Sequence, residues 1–316
     1  MESEVAFSIV IPTHNRPEAL SSLLQSIREH WTPRIEKVVV VDDSDRPLNL
    51  VESFYDLPLH HIVQRPRMFI SRAKNLGWQA APSPFIFFID DDNVVTSTTF
   101  RGPLDLMGSN SHVGAVVPAV LYRSAPELVW VYATPLSQNR WGHVLIGRNR
   151  PRNLSLENRV LETDALPNAA LARRSSLTEI GGFDESLLVN SSAAAALTLK
   201  QKGWKVLAHT GSFILHDVEP PGRMGYWARH GMTDPGRVYH EVRDWFSLMH
   251  SLHRGQSFFN LRATVHASGF MIPNGLSYLL GGDTNGSESL KQLIRGYLSS
   301  LRPVDGERFD ARTRST

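Results

Sequence analysis

SPFIFFIDDDN, residues 83–93, decides the fold. The five apolar residues Phe85–Ile89 suit a strand buried on both faces of a parallel sheet, and Asp90-Asp91-Asp92 closes it abruptly. Upstream, Ile70 to Ala81 has helical spacing and is stopped by Pro82-Ser83-Pro84. Ile62–Val63 reads as a weaker strand, and Val38–Val41 as a β-branched strand closed by Asp42-Asp43-Ser44-Asp45. Phe7–Pro12 (FSIVIP) is a further apolar run, followed by Thr13-His14-Asn15-Arg16. Pro17 then sits where a first helical turn accepts proline and opens a stretch with Leu20, Leu23, Leu24 and Ile27 on one face. Repeated β–α–β of this kind implies an α/β fold with a doubly wound sheet and right-handed crossovers.

After Pro118 the pattern changes. Leu128–Thr134 reads as an edge strand or hairpin, and Arg140 to Arg159 as a long loop. Ala169–Arg173 reads as extended, and Ser175–Ile180 as a short helix capped by Gly181-Gly182. A second helix is expected over Leu187–Gly203 and another strand over Ser212–His216. Helical patterns dominate from Asp234, including Val238–Leu252 and Leu290–Leu301. The organisation read is 1–118 and 119–235 as halves of one domain, then a helical appendage over 236–316 whose charged end, Arg302 to Thr316, is expected to be disordered.

Composition narrows the function. The absence of cysteine among 316 residues excludes disulfides, Cys-ligated zinc, iron–sulfur clusters and thiol nucleophiles. Thirty-three basic against 31 acidic residues leave a net charge of +2, which gives no ground for expecting nucleic acid as a partner. Met1 to Ala6 lacks the features of a secretion signal, and Ser268 to Leu280, the longest apolar suspect, is interrupted by Pro273, Asn274 and Gly275. The address read is cytoplasmic, with the inner face of the membrane left open.

In open α/β sheets ligands bind beyond the carboxyl ends of the strands, where strand order reverses. Three apolar runs end there in polar groups: Thr13-His14-Asn15-Arg16, Asp42-Asp43 and Asp90-Asp91-Asp92-Asn93. Adjacent carboxylates raise each other's pKa, and a hard divalent cation such as Mg²⁺ or Mn²⁺ relieves the repulsion. Taken alone, Asp42-Asp43 reads as a turn or helix cap. The triplet, with a second acidic strand end beside it, reads as a metal–phosphate site.

The series IVIPTHNRPEALSSLLQSI, VVVVDDSD, ISRAKNLGWQAAPSPFIFFIDDDN and NAALARRSSLTEIGGFDE resembles the family 2 glycosyltransferases over about residues 7 to 218. That resemblance implies the GT-A fold, a mixed sheet with a Rossmann-like nucleotide-binding half, and a nucleotide-diphospho-sugar donor. By resemblance Pro12, Thr13, His14, Asn15 and Arg16 line the nucleotide pocket, and Asp42 or Asp43 meets the base or ribose. Arg72 and Asn75 would steady the ribose and diphosphate. The family's Asp-x-Asp motif falls on Asp90 and Asp92, with Asp91 between them on the donor side. Asp92 would then ligate Mn²⁺ or Mg²⁺ directly, while Asp90 faces the ribose or bridges through water. His216 ends the run Phe213-Ile214-Leu215 and would be a further ligand, one that favours Mn²⁺, with Asp217 as partner of its ring.

One block departs from the pattern. Inverting members carry an acidic Glu-Asp pair that supplies the general base, followed by Asp-Leu and an arginine. Counting back from Gly203 places the pair on Ser191-Ser192, the next Asp on Ala194 and the arginine on Thr198. Serine is no base near neutrality. Either Asp184, Glu185, Asp217 or Glu219 supplies the base, or the acceptor is already an anion such as a phosphate, or the chain binds a nucleotide-sugar without efficient transfer.

Tyr226 and Trp227 are candidates for the acceptor side, with Arg229, His230, Arg237, His240 and Arg243 giving that stretch cationic character. A saccharide, lipid-linked or phosphate-bearing acceptor fits these residues. The apolar tail, including Phe258, Phe259, Leu261, Ile272, Leu276, Leu279 and Leu280, would pack on the catalytic domain, lie on a membrane surface or form a homodimer contact. The function read is metal-dependent sugar transfer, with inversion implied by the resemblance. The alternatives are nucleotide-sugar binding alone and, last for want of a Gly-rich N-terminal loop, a sugar-phosphate nucleotidyltransferase.

Overall fold

Four strands, β1 (Phe7–Thr13), β2 (Ile35–Asp42), β3 (Leu59–Val63) and β4 (Phe85–Ile89), lie parallel in the order β3-β2-β1-β4. Helices α1 (Pro17–Glu29) and α2 (Phe69–Ala80) make the crossovers. β1 and β4 are buried along their whole length, as unbroken apolar runs covered on both faces must be. α1 has Pro17 at its start and buries Leu20, Leu23, Leu24 and Ile27. The chain works outward from β1 to β3 and then returns across to β4, so strand order reverses between β1 and β4.

The computed structural model describes residues 5–49, 53–137, 142–220, 234–253, 259–280 and 285–301. Contacts divide the chain into two units: 1–136 with 143–185 and 191–220, and 137–142 with 186–190 and 221–316. The first continues beyond β4 through β5 (Asn93–Val95), α3 (Arg101–Ser109), β6 (Val113–Tyr122) and β7 (Leu128–Val131). Along the chain come the short strands β8 (Leu136–Ser137) and β9 (Gly142–His143), each divided between the units, and then, in the first, β10 (Arg150–Pro151) and β11 (Val160–Glu162). It ends with β12 (Ala169–Arg173), α4 (Arg174–Ile180), α5 (Ser191–Gln201) and β13 (Lys205–His216). β12 runs antiparallel between β4 and β6, while β13 runs parallel to β6 and takes β5 and β11 antiparallel, which makes the sheet mixed.

Several elements differ from the sequence reading. The division drawn at 118 falls inside β6, a ten-residue strand buried throughout. Pro118 falls between two partners on one edge of β6, and on the other it pairs with His209, the last residue before that register slips. β12 pairs at Ala115 and Val116, β7 resumes at Val120, and on the other edge the β13 register slips between His209 and Phe213. The expected strand over 212–216 extends back to Lys205, and the expected loop over 140–159 contains β9 and β10. The second helix starts at Ser191 rather than Leu187.

The second unit is helical: α6 (Pro235–His253), α7 (Phe259–Leu280) and α8 (Gly286–Ser300). Its core holds Val238, Val242, Phe246, Ala267, Tyr278 and Leu293. α7 runs through Pro273, where the sequence suggested a break, and the Asn274 side-chain amide donates to the Phe270 carbonyl within that turn. Leu261, Ile272, Leu276, Leu279 and Leu280 are exposed, whereas Phe270 and Met271 pack against the core. Phe258 and the end from 302 lie outside the described residues. Among the described residues no helix is long and apolar enough to cross a membrane.

Candidate active site at the β1/β4 reversal

The ends of β1, β2, β4 and β13 supply the polar groups of the reversal point. Thr13, the last residue of β1, donates its hydroxyl to Asp91 Oδ2 at 2.8 Å. Arg16, on the turn before α1, places Nη1 3.1 Å from Asp91 Oδ1 and 3.0 Å from Asp92 Oδ2. Lys74, buried on α2, meets Asp90 Oδ1 at 2.9 Å. His216, the last residue of β13, holds Nε2 3.6 Å from Asp92 Oδ1, and Asn93 donates to the same oxygen at 3.1 Å. Arg16 and Lys74 thus offset part of the repulsion within the triplet.

The three carboxylates differ in acidity. Burial pushes Asp91 up, and the neighbouring Asp92 and Asp90 charges add to this against the opposing Thr13 hydrogen bond and Arg16 charge. For Asp92 burial also acts upward, but hydrogen bonding and charge from His216, with Arg16, outweigh it and hold the carboxylate below its ordinary value. Burial would lower the Arg16 guanidinium, yet Asp91 and Asp92 together raise it.

Asp92 and His216 thus form a carboxylate–imidazole pair, the residues that would hold a divalent ion at this edge. Asp90 is turned to Lys74 instead, and among the described residues no group of three or more His, Asp or Glu is spaced as a metal cage. A site so sparse fits Mn²⁺ or Mg²⁺ that takes its remaining ligands from substrate phosphates and water.

The other anticipated residues divide. Asp43 anchors the edge: Oδ1 lies 3.0 Å from His14 Nδ1, and Oδ2 accepts from Met68 N at 2.8 Å and Phe69 N at 3.1 Å. Phe69 adopts φ 61°, a strained left-handed geometry for an aromatic residue, and leaves its ring exposed. Asn15 ties the first loop to the second through Asp45 Oδ2 at 2.8 Å. Asp42 is wholly buried and bonded inside the protein. Asn75 is turned from the expected role: its amide binds both the N–H and carbonyl of Phe183 and donates to Glu185. Arg72 is exposed, while Lys74 two residues on enters the site. A lysine on an amphipathic helix gives no sequence signal of burial.

Among the base candidates, Glu185 accepts from Asn75 at 2.9 Å, and Asp217 pairs with Arg123 at 2.8 Å rather than with the His216 ring. Ser191 and Ser192 open α5. Asp184 is half-buried and Glu219 exposed. Tyr226 and Trp227, with Arg229 and His230, lie outside the described residues.

Comparison with known proteins identifies the family and the fold. A glycosyltransferase of Haemophilus influenzae is 24% identical over 109 residues, covering 34% of this chain and 37% of the relative. The poly(ribitol-phosphate) beta-N-acetylglucosaminyltransferase TarS of Staphylococcus aureus is 28% identical over 100 residues, 30% of this chain and 18% of that protein. The matched regions thus span well under half the length of these curated relatives. The crystal structure of GalNAc-T7 with UDP, GalNAc and Mn²⁺ superposes with a TM-score of 0.60 at 13% identity, covering 92% of this chain and 55% of that one, and shows the shared GT-A fold. The model of glycosyl transferase family 2 matches residues 8–181, more than half of the 316 residues, and the chain belongs to that family.

Proposed function

We propose that the chain moves a glycosyl unit from a nucleoside-diphosphate sugar to an acceptor hydroxyl or phosphate, with inversion and with the help of Mn²⁺ or Mg²⁺. The observation that carries this reading is the meeting of Asp90, Asp91 and Asp92 with Thr13, Arg16, Lys74 and His216 at the β1/β4 reversal. Asp92 and His216 would hold the cation, which when bound neutralises charge growing on the leaving diphosphate. Arg16 and Lys74 add fixed positive charge at the same edge, where groups already oriented need no reorganisation during the reaction. Thr13 and Arg16 together keep Asp91 and Asp92 from rotating away.

Calorimetric titration of UDP- and GDP-sugars, with and without Mn²⁺, tests the reading. Asp92→Ala should weaken Mn²⁺-dependent donor binding by more than the roughly 10–100-fold that loss of an outer-shell partner brings, and should abolish turnover. His216→Ala should weaken the response to Mn²⁺ more than the response to Mg²⁺. Donor affinity unchanged by Asp92→Ala would overturn the assignment.

A second reading, nucleotide-sugar binding without efficient transfer, has one observation in its favour. Residues 186–216 contain no carboxylate, and the flanking Glu185 and Asp217 are engaged by Asn75 and Arg123. Donor binding without product on any saccharide, lipid-linked or phosphate-bearing acceptor would select it.

A further inference from the structure

Next to His216, β6, β7 and the segment 143–152 carry side chains that none of these roles uses. Trp130 on β7 stands edge-on to His216, with ring centroids 5.2 Å apart and planes at 83°. Arg148 lies over the same indole, its guanidinium carbon 4.1 Å from the ring centroid, and Nη1 donates to the Trp130 carbonyl at 3.3 Å. Tyr122, at the end of β6, donates its hydroxyl to Asn149 and so ties this segment to the sheet. Arg123 is neutralised by Asp217 at 2.8 Å, and Arg152 by Glu157 at 2.8 Å.

Arg148 differs from those two. Among the described residues it faces no carboxylate; burial lowers its pKa, and only the Tyr122 phenol acts in the other direction. A guanidinium offers five donors, of which the Trp130 carbonyl takes one. The aromatic face fixes its plane without neutralising it. A half-buried, pre-oriented cation with open donors lacks an anion, and its fork suits bidentate phosphate oxygens. We propose that Arg148, stacked on Trp130 beside His216, receives a phosphate ester group of the acceptor. This assignment rests on the reading that the β1/β4 edge takes the donor, with His216 neighbouring both Asp92 and Trp130.

The test uses the full chain without donor and three probes: glycerol 1-phosphate, glycerate and glycerol, followed by saturation-transfer NMR. The phosphate ester should bind saturably and at least about tenfold more tightly than either other probe. Arg148→Gln should weaken it about tenfold or more, Arg148→Lys should recover part of the loss, and UDP- and GDP-sugar affinities should stay unchanged in both. Should Arg148→Gln fail to fold, phenylglyoxal labelling of the unaltered chain gives a second measurement. Glycerol 1-phosphate, but not glycerol, should protect Arg148 as mapped by peptide mass spectrometry. Equal binding of the three probes, undiminished binding by Arg148→Gln, or labelling unaffected by the ester would each overturn the proposal. Ester binding that persists in a chain unable to bind any nucleotide-sugar would sink the donor reading and leave the anion subsite standing.

Discussion

Asp42 has no accessible surface and both of its oxygens are occupied: Oδ1 accepts from Ser44 N and Oδ2 from Leu48 N, each at 2.9 Å, with His61 Nε2 3.2 Å from Oδ2. Burial pushes its pKa up, yet the bonds from Ser44, Leu48 and His61 prevail and hold it below the ordinary value. The unfolded carboxyl titrates near about 3.9, so the Asp42 contribution to stability is present above about pH 4 and is lost as pH falls through the lower folded value. Asp42→Asn should therefore cost about 1–3 kcal/mol in urea unfolding at neutral pH, and the difference should shrink toward pH 2. A difference constant with pH would contradict the charge argument. The same chemistry explains what the sequence disclosed of the site. Thr13, Asp90–Asp92 and His216 were legible because each sits where an apolar run stops, with Arg16 close behind the first. Lys74 and Arg148 were not, since their roles come from burial and from a stacking partner 18 residues away in sequence, which no local pattern reports. Asn75 has a role the sequence does not report: its amide binds the Phe183 backbone and builds a loop.

That loop is an element-scale device. α4 ends in Gly181 with φ 73°, Gly182 follows with φ 81°, and the chain then offers the N–H and carbonyl of Phe183 to Asn75 on α2, at 2.8 Å each. A Cβ on Gly182 would stand 2.4 Å from Asn75 Oδ1 and 3.1 Å from Trp78 Nε1, so alanine faces both a left-handed backbone and the anchoring amide. Gly182→Ala should destabilise the chain by about 2–4 kcal/mol in denaturant unfolding, whereas Gly181→Ala, with open space around its Cβ, should lose only the backbone part, about 1–2 kcal/mol. Equal losses would remove Asn75 from the explanation. The parallel half of the sheet was readable because its strands are short apolar runs bounded by charge. β6 was not, because Pro118 is ordinarily a strand terminator; only tertiary pairing shows that one edge of β6 changes partner around that residue while the other continues through it to His209. β13 was half-read for a related reason: its alternating burial and the slip after His209 dilute the apolar signal ahead of Ser212.

At the scale of the whole molecule each unit has its own core, so stability need not be lost in one step. Phe87 on β4 is fully buried against Phe7 and Phe100 in the first unit, with centroids 6.2 and 5.2 Å away. Phe246 on α6 is equally buried in the second, with Tyr297 at 5.1 Å and Phe270 at 5.7 Å, so the three helices share one aromatic centre. Truncating either ring removes its transfer free energy and leaves a cavity, together about 3–5 kcal/mol. Local opening follows the cooperative unit that holds the missing contacts. Hydrogen exchange read by mass spectrometry should therefore show Phe246→Ala raising exchange in α6, α7 and α8 while β1, β2 and β4 keep their protection, and Phe87→Ala doing the reverse. Because Thr13, Arg16, Lys74, Asp92 and His216 all belong to the first unit, Phe246→Ala should also leave nucleotide-sugar affinity within about twofold of the parent chain. Protection lost together in both units after either substitution would mean that the two cores unfold as one, and the donor site could then not be treated as the property of the sheet alone.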